Sequence, residues 1–212
     1  MIPKSFTVLS VDFDYWYPGW DNEEGDPHCG RCSGCIKEVR GSPLRPEEAD
    51  CPSTDVTVKE VLGLVKENTP VYVAECHGDI VGVLHRYLAN NRAVTVYDID
   101  HHNDCGVYDP HREKTYSSEW DRLLTCANWI TVAEEEGLIE RRVYLAYEGI
   151  PVPPNVVFTC KSSPYMMPEG DDHWHEWLRA LESKGCPMTF WGFMRRGVKK
   201  DYESYLLGRK ER

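Results

Sequence analysis

The sequence predicts an α/β protein with a mainly parallel sheet covered by helices. Apolar runs typical of buried strands alternate along the chain with segments whose apolar residues recur at helical spacing. This alternation is the pattern of parallel sheets, in which each strand is followed by a crossover helix. Two further observations are that three of the apolar runs end in Asp or His residues and that a long aperiodic segment follows the first run. Both features belong at the carboxyl ends of parallel strands, where ligands bind.

The predicted elements follow one another in a regular order. Residues 5–12 form the first apolar run, and the apolar positions of residues 56–67 have the spacing of an amphipathic helix. Gly137 ends a later helix, and the prolines of residues 151–154 separate the last two predicted strands. The strands are predicted at 5–12, 71–75, 93–99, 142–147 and 156–159, and the helices at 56–67, 79–90, 120–136, 171–183 and, in a basic surface stretch, 195–212.

Length and composition predict a single domain spanning residues 1–212. A chain of 212 residues with 41% hydrophobic residues can bury a substantial core. No apolar run approaches the ~20 residues that span a bilayer, and the N-terminus lacks the apolar region of a secretory signal, so we expect a cytoplasmic protein without a membrane partner. The formal net charge of -11 disfavours a nucleic-acid partner and favours a cationic one.

The segment Asp-His-His-Asn-Asp at residues 100–104 directly follows a predicted strand. On an extended segment Asp100, His102 and Asp104 point to one side, and His101 and Asn103 point to the other. Two carboxylates and an imidazole on one side would be neutralised most simply by a divalent metal ion. His101 and Asn103 could contact a substrate or pack under the neighbouring loop.

Two other predicted strands end in similar side chains. Asp12 and Asp14 follow the first strand, and His77 follows the second. If the three strands are neighbours, their ends bring together more ligands than one tetrahedral zinc ion uses, and two oxygen-preferring ions, manganese best of all, suit the set. The predicted metal ligands are Asp12, Asp14, His77, Asp100, His102 and Asp104.

These motifs resemble those of the arginase and deacetylase (ureohydrolase) superfamily. Residues 100–104 are similar to the arginase Asp-Ala-His-x-Asp motif, and residues 10–14 are similar to its Ser-Phe-Asp-x-Asp motif. The segment from Val71 to Asp104 more closely resembles the peptide arginases of ribosomal-peptide natural-product pathways, with His77 at the first metal histidine. The resemblance implies a three-layer α/β/α fold, two Mn²⁺ ions, and hydrolysis of arginine in a peptide or protein to ornithine and urea. The two motifs occur in the reverse of the arginase order, which a circular permutation would explain.

Several residues are candidates for proton transfer and substrate contact. Asp104 or Asp14 would receive or relay the proton, and His111, Glu75 and Glu148 are candidates for the remaining catalytic groups of the family. Trp16, in an aromatic stretch at the start of the long loop, could line the substrate entrance with His101 and Asn103. The predicted catalytic residues are therefore Asp104, His111 and Glu75, and the predicted substrate-binding residues are Trp16, His101 and Asn103.

The aperiodic insertion at residues 15–55 contains a cluster of cysteines. Cys29, Cys32 and Cys35 have Cys-x2-Cys-x2-Cys spacing, and Cys51 follows. Thiolates at this spacing can surround one structural Zn²⁺ ion, although reduced free thiols account for the pattern equally well. The chain has an odd number of cysteines, nine, and no secretory signal, so a disulfide framework is not expected.

Two other functions remain open from the sequence. A deacetylase-type amidohydrolase on the same fold would use a single zinc ion held by Asp and His. A non-catalytic binding protein stapled by zinc would keep the arginase-like centre without its activity. Metal content separates these alternatives from a binuclear manganese hydrolase.

Overall fold

A parallel sheet organises the part of the chain that the computed structural model describes. The structure describes residues 6–16, 57–88, 94–100, 104, 124, 128–144, 153–162, 170–192 and 194–210. Within these ranges every strand pairing is parallel, which confirms the predicted α/β class. The six strands are β1 (Phe6–Asp12), β2 (Val71–Ala74), β3 (Val94–Ile99), β4 (Arg141–Tyr144), β5 (Val156–Cys160) and β6 (Met188–Phe190).

The strands lie in the order β4-β3-β1-β5-β2-β6. β1 pairs with β3 on one side and with β5 on the other, and β2 pairs with β5. The expectation that β1, β2 and β3 are all neighbours is therefore wrong, because β5 lies between β1 and β2. Strand order depends on how the crossovers pack rather than on a local sequence pattern, so no sequence feature indicates this insertion.

Helices cover both faces of the sheet. Their bounds are α1 (Val58–Leu64), α2 (Ile80–Leu88), α3 (Trp129–Glu135), α4 (Gly170–Ser183) and α5 (Arg195–Lys210). One face packs against Leu84 of α2 and Trp129 of α3, and the other packs against Val61 of α1, Trp174 of α4 and Val198 of α5. The described residues thus form three layers, with a hydrophobic core on each side of the sheet.

Two details differ from the predicted elements. The helix predicted at 120–136 is observed as Trp129–Glu135, and Leu124 is not helical. Its predicted end is confirmed, since Gly137 has a φ of 65° that favours glycine. Strand β6 was not predicted, because three partly exposed residues are too few to show a periodic pattern.

Most of the cysteine-containing insertion, from residue 17 to residue 55, lies outside the described residues. Among those that are described, no helix is long and apolar enough to cross a membrane.

The sheet face under α2 and α3 changes from apolar to polar toward the carboxyl ends of the strands. On β1 this face carries Phe6 and Val8, then Ser10 and Asp12; on β3 it carries Val94 and Val96, then Asp98 and Asp100; and on β5 it carries Val156 and Phe158, then Cys160. The register places Ser10 beside Asp98 and Asp12 beside Cys160. The alternating strand pattern therefore collects polar side chains at one end of a buried face.

Candidate metal centre

His77 lies at the middle of this polar group. It begins the one-turn 3-10 helix His77–Asp79, which connects β2 to α2, and its side chain is fully buried. Its Nδ1 atom lies 3.0 Å from Oδ2 of Asp100, 3.0 Å from Oδ2 of Asp104 and 3.3 Å from Oδ2 of Asp12. Three carboxylates therefore converge on one nitrogen, whose single N–H can donate to only one of them at a time.

The opposite edge of the ring has different neighbours. Nε2 of His77 lies 2.6 Å from Oγ of Ser10 and 3.5 Å from Oδ1 of Asp98. A ring that donates its Nε2 hydrogen to Ser10 presents the lone pair of Nδ1 to the three carboxylates. This arrangement is typical of metal-binding histidines, whose second nitrogen is fixed by a hydrogen bond.

Aromatic side chains hold the imidazole ring in place. The ring of Phe158 stacks on His77 with a centroid separation of 6.0 Å, and the ring of Trp129 lies 4.9 Å away. Trp129 also donates a 2.7 Å hydrogen bond from Nε1 to Oδ2 of Asp104. The first residue of α3 therefore positions both a carboxylate and the histidine.

Asp98 is compensated by an arginine from the neighbouring strand. Arg142 of β4 donates from Nη2 at 2.7 Å and from Nε at 3.1 Å, both to Oδ2 of Asp98. Burial raises the pKa of the Asp98 carboxyl, although the charges of His77 and Arg142 act in the opposite direction. The guanidinium thus neutralises one carboxylate at the rim of the centre.

The Asp12 carboxylate accepts a hydrogen bond from a residue that follows β5. Ser162, which has a φ of 48°, donates a 2.7 Å hydrogen bond from Oγ to Oδ2 of Asp12. Oδ1 of Asp12 is buried and has no hydrogen-bond partner among the described residues. A buried carboxylate oxygen without a partner is costly, and a bound cation would satisfy it.

Three overlapping groups of side chains could hold a metal ion. They are Asp12 with Asp14 and Asp100, Asp12 with His77 and Cys160, and His77 with Asp98 and Asp100. In each group the ligand atoms lie within 4.8 Å of one another, and every member is buried. Asp12, Asp98, Asp100 and Cys160 belong to the strand ends described above, whereas Asp14 and His77 lie in the 3-10 turns Phe13–Tyr15 and His77–Asp79.

The charge balance and the spacing both fit a divalent ion. Asp12, Asp14, Asp98, Asp100 and Asp104 are all buried, and the compensating groups at described positions are His77 and Arg142. Burial of the His77 ring lowers its pKa, but the hydrogen bonds and charge of Asp100, Asp104 and Asp12 outweigh this effect and raise the pKa well above its usual range. Neighbouring ligands of an octahedral ion with metal–oxygen distances of about 2.1 Å lie about 3.0 Å apart. The separations of 3.0, 3.0 and 3.3 Å around Nδ1 are close to that value, and they are also the lengths of ordinary hydrogen bonds.

The predicted metal ligands that the structure describes do converge. Asp12, Asp14, His77, Asp100 and Asp104 are brought together, whereas His102 lies outside the described residues. The reasoning for Asp104 was wrong, however, because its φ of 45° is left-handed and the segment is not extended through that residue. Asp14 likewise lies in a 3-10 turn, so its position in the group does not come from the alternation of side chains along a strand.

Of the other predicted site residues, the structure describes Glu75 and Trp16. Glu75 is half-buried. Burial lowers the pKa of Lys161, which follows β5, but the charges of Asp171, Asp201 and, last, Glu75 outweigh burial and raise it. Trp16 packs against Phe13 at 5.3 Å and Trp177 at 6.4 Å. Their proposed roles in catalysis and substrate binding stay predictions. The remaining predicted residues lie outside the described part of the chain: His101, Asn103, His111 and Glu148, and the zinc candidates Cys29, Cys32, Cys35 and Cys51.

Several contributors were missed from the sequence. Asp98 could have been found, because it precedes Asp100 by two residues on the same strand and is an acid within an apolar run. Cys160 and Ser162 had no such signal, since they belong to the site through the insertion of β5 between β1 and β2. Arg142 was assigned to a strand, but its partner depends on the register between β3 and β4.

Comparison of the chain with protein-family models, curated proteins and solved structures finds no match in any of the three.

Proposed function

We propose that this protein is a metal-dependent hydrolase acting on the guanidinium group of arginine in a peptide or protein, with ornithine and urea as products. The observation that carries the proposal is the convergence of three buried carboxylates on Nδ1 of one buried histidine. Such a cluster could hold a metal ion, and the motifs at residues 10–14 and 100–104 resemble those of arginases. The arginase-like identity rests on this resemblance and on the chemistry of the ligands.

Two manganese ions are the proposed cofactors. The residues that would hold them are Asp12, Asp14, His77, Asp100 and Asp104, with His102 added from the sequence motif. Carboxylate ligands in excess of imidazoles favour hard divalent ions over a single tetrahedral zinc. When bound, such ions lower the pKa of water and so supply a nucleophile at neutral pH.

The chain's own residues would bind and orient the substrate. Buried carboxylates stabilise a planar cation such as guanidinium, which pairs with carboxylate oxygens in a two-pronged geometry. Trp129 fixes the orientation of the Asp104 carboxylate through its 2.7 Å hydrogen bond. Asp104 or Asp14 would accept the proton and return it to the departing amine. The formal net charge of -11 would favour encounter with a cationic peptide.

The test is urea release from arginine-containing peptides after manganese reconstitution. We expect activity in the native protein and a loss of more than about a hundredfold in Asp100→Asn, since that change removes a ligand. Asp172→Asn is the matched control, because Asp172 is an exposed aspartate on α4. Manganese binding without urea release from a panel of such peptides, with free arginine included, would contradict the proposed reaction.

A further inference from the structure

The candidate centre contains a buried thiol that the arginase-like interpretation does not use. Cys160 is the last residue of β5, is fully buried and is a free cysteine. The register pairs it with Asp12 on one side and with Ala74 on the other, so it lies between the two strands that deliver Asp12 and His77. Insertion of β5 into the sheet thus places a sulfur atom inside the carboxylate and histidine group.

The sulfur atom makes weak polar contacts within the described residues. Its neighbours are the carbonyl oxygen of Val11 at 3.9 Å and the hydroxyl of Ser162 at 3.6 Å. Contacts of this length involving sulfur contribute little, so the lone pairs of the thiol remain open to a stronger partner. Oδ1 of Asp12, in the same group, is buried without a hydrogen-bond partner among described residues.

Two of the three candidate groups share Asp12 and differ in their ligand atoms. Asp12, Asp14 and Asp100 supply oxygen alone, whereas Asp12, His77 and Cys160 supply oxygen, nitrogen and sulfur. Oxygen ligands suit manganese or magnesium, and a thiolate with an imidazole selects zinc. Asp12 belongs to both sets and has two carboxylate oxygens with which to bridge them.

We propose that the centre has two chemically different positions joined by Asp12: an all-carboxylate position for manganese, formed with Asp14 and Asp100, and a mixed position for zinc, formed with His77 and Cys160. This inference rests on the proposed metal centre and replaces its pair of like ions by a manganese–zinc pair. Ligand atoms on one zinc ion lie roughly 3.3–3.6 Å apart. The observed separations, all within 4.8 Å, would have to shorten by about 1.5 Å at most.

The first test measures zinc and manganese per chain by elemental analysis after reconstitution with both ions. Cys160→Ser and Cys160→Ala should each lose one zinc per chain and keep the manganese. Cys186→Ser is the matched control and should keep both, since Cys186 is a buried free cysteine that contacts the carbonyl of Lys66, away from the centre. Two different substitutions are used so that loss of a ligand can be distinguished from a failure to fold. Circular dichroism of each variant reports whether it is folded.

The second test detects the metal–sulfur bond directly. Cobalt(II) added to the chelator-treated protein should give a thiolate-to-cobalt charge-transfer absorption that is larger in the native protein than in Cys160→Ser. The difference spectrum removes any contribution of the other cysteines. Equal spectra and equal zinc content in the two proteins would overturn the role of Cys160. If urea release and manganese binding nevertheless persist, the proposed hydrolase stands; if Asp100→Asn also leaves metal content unchanged, both fall.

Discussion

The hydroxyl oxygen of Ser10 lies 2.6 Å from Nε2 of His77, on the opposite edge of the ring from three converging carboxylates. The two residues come from different elements: Ser10 lies on β1, and His77 begins the turn that follows β2. Ser10 can accept the Nε2 hydrogen, and when an ion is bound among the carboxylates this hydrogen bond would leave the Nδ1 lone pair free to coordinate it.

Replacement of Ser10 should weaken metal binding without removing a ligand. In Ser10→Ala the Nε2 hydrogen loses its partner, and we expect the affinity for manganese or zinc to fall about 10-fold to 100-fold. Titration calorimetry measures this change. Thr7→Ala is the control, because Thr7 lies on the same strand and bonds Asn155 at the far end of the sheet. Equal losses of affinity in both variants would show a general effect on folding instead.

Removal of Arg142 should destabilise the protein. Arg142→Leu leaves the fully buried Asp98 carboxylate without its 2.7 Å partner, and we expect the free energy of unfolding to fall by about 3 kcal/mol. The neighbouring Arg141 is exposed, so Arg141→Leu should change this quantity by less than about 0.5 kcal/mol. Urea denaturation of the metal-free proteins provides the comparison. A stability of Arg142→Leu equal to that of Arg141→Leu would refute the importance of the pair.

Asp14→Asn should separate stability from metal binding. Asp14, Asp12 and Asp100 are buried together, so loss of one negative charge should leave the metal-free protein as stable as before or more stable. The native protein should gain about 2.7 kcal/mol at a metal concentration 100 times its Kd. We expect that gain to be largely lost in Asp14→Asn but kept in Asp172→Asn. Thermal unfolding with and without manganese measures both effects, and an undiminished gain in Asp14→Asn would be inconsistent with the all-carboxylate position.

The contact between α4 and α5 predicts a dependence of stability on pH. Nε2 of His175 lies 2.9 Å from Oδ2 of Asp201, and Nζ of Lys161 lies 3.3 Å from the same oxygen. The hydrogen bond with His175, followed by the charge of Lys161, lowers the pKa of Asp201 against the opposing effect of burial. The carboxylate therefore stabilises the folded protein above the ordinary pKa of about 3.9, and this stabilisation is lost as the pH falls through the lowered value.

Asp201→Asn should accordingly be less stable than the native protein at neutral pH. We expect a difference of about 0.5–1 kcal/mol at pH 7, limited by the partial exposure of the carboxylate, that narrows once the pH is lowered past about 4. Glu203→Gln, which changes an exposed pair with Lys199 at 3.7 Å, should have little effect at any pH. Denaturation at several pH values tests this, and a difference that stays constant down to acid unfolding would argue against the ionic contribution.

The sequence predicted the elements well because their signals are local. The apolar run of β3 and the periodicity of α2 follow from residue order alone. The same holds for the acids at strand ends, since Asp12 and Asp100 are defined by their distance from an apolar run. Asp104 was placed in the site correctly although its backbone is left-handed, because its carboxylate still reaches Nδ1 of His77.

The parts of the site that the sequence did not predict depend on which strands lie side by side. Cys160 and Ser162 reach Asp12 because β5 lies next to β1, and Arg142 reaches Asp98 because β4 lies next to β3. These contacts join residues more than forty positions apart, and no periodicity encodes such a pairing. A strand order derived from sequence alone would have been needed to find them.

We infer that the carboxylates around His77 bind divalent metal ions. Equilibrium dialysis of the native protein and of the double variant Asp12→Asn/Asp100→Asn against manganese and zinc, followed by elemental analysis, tests this inference. We predict that the native protein retains about two more metal ions per chain than the double variant. Any ion bound by the cysteines of the insertion at residues 15–55 would be present in both proteins and so would cancel in this comparison. Equal metal content in the native and doubly substituted proteins, both folded, would contradict the account.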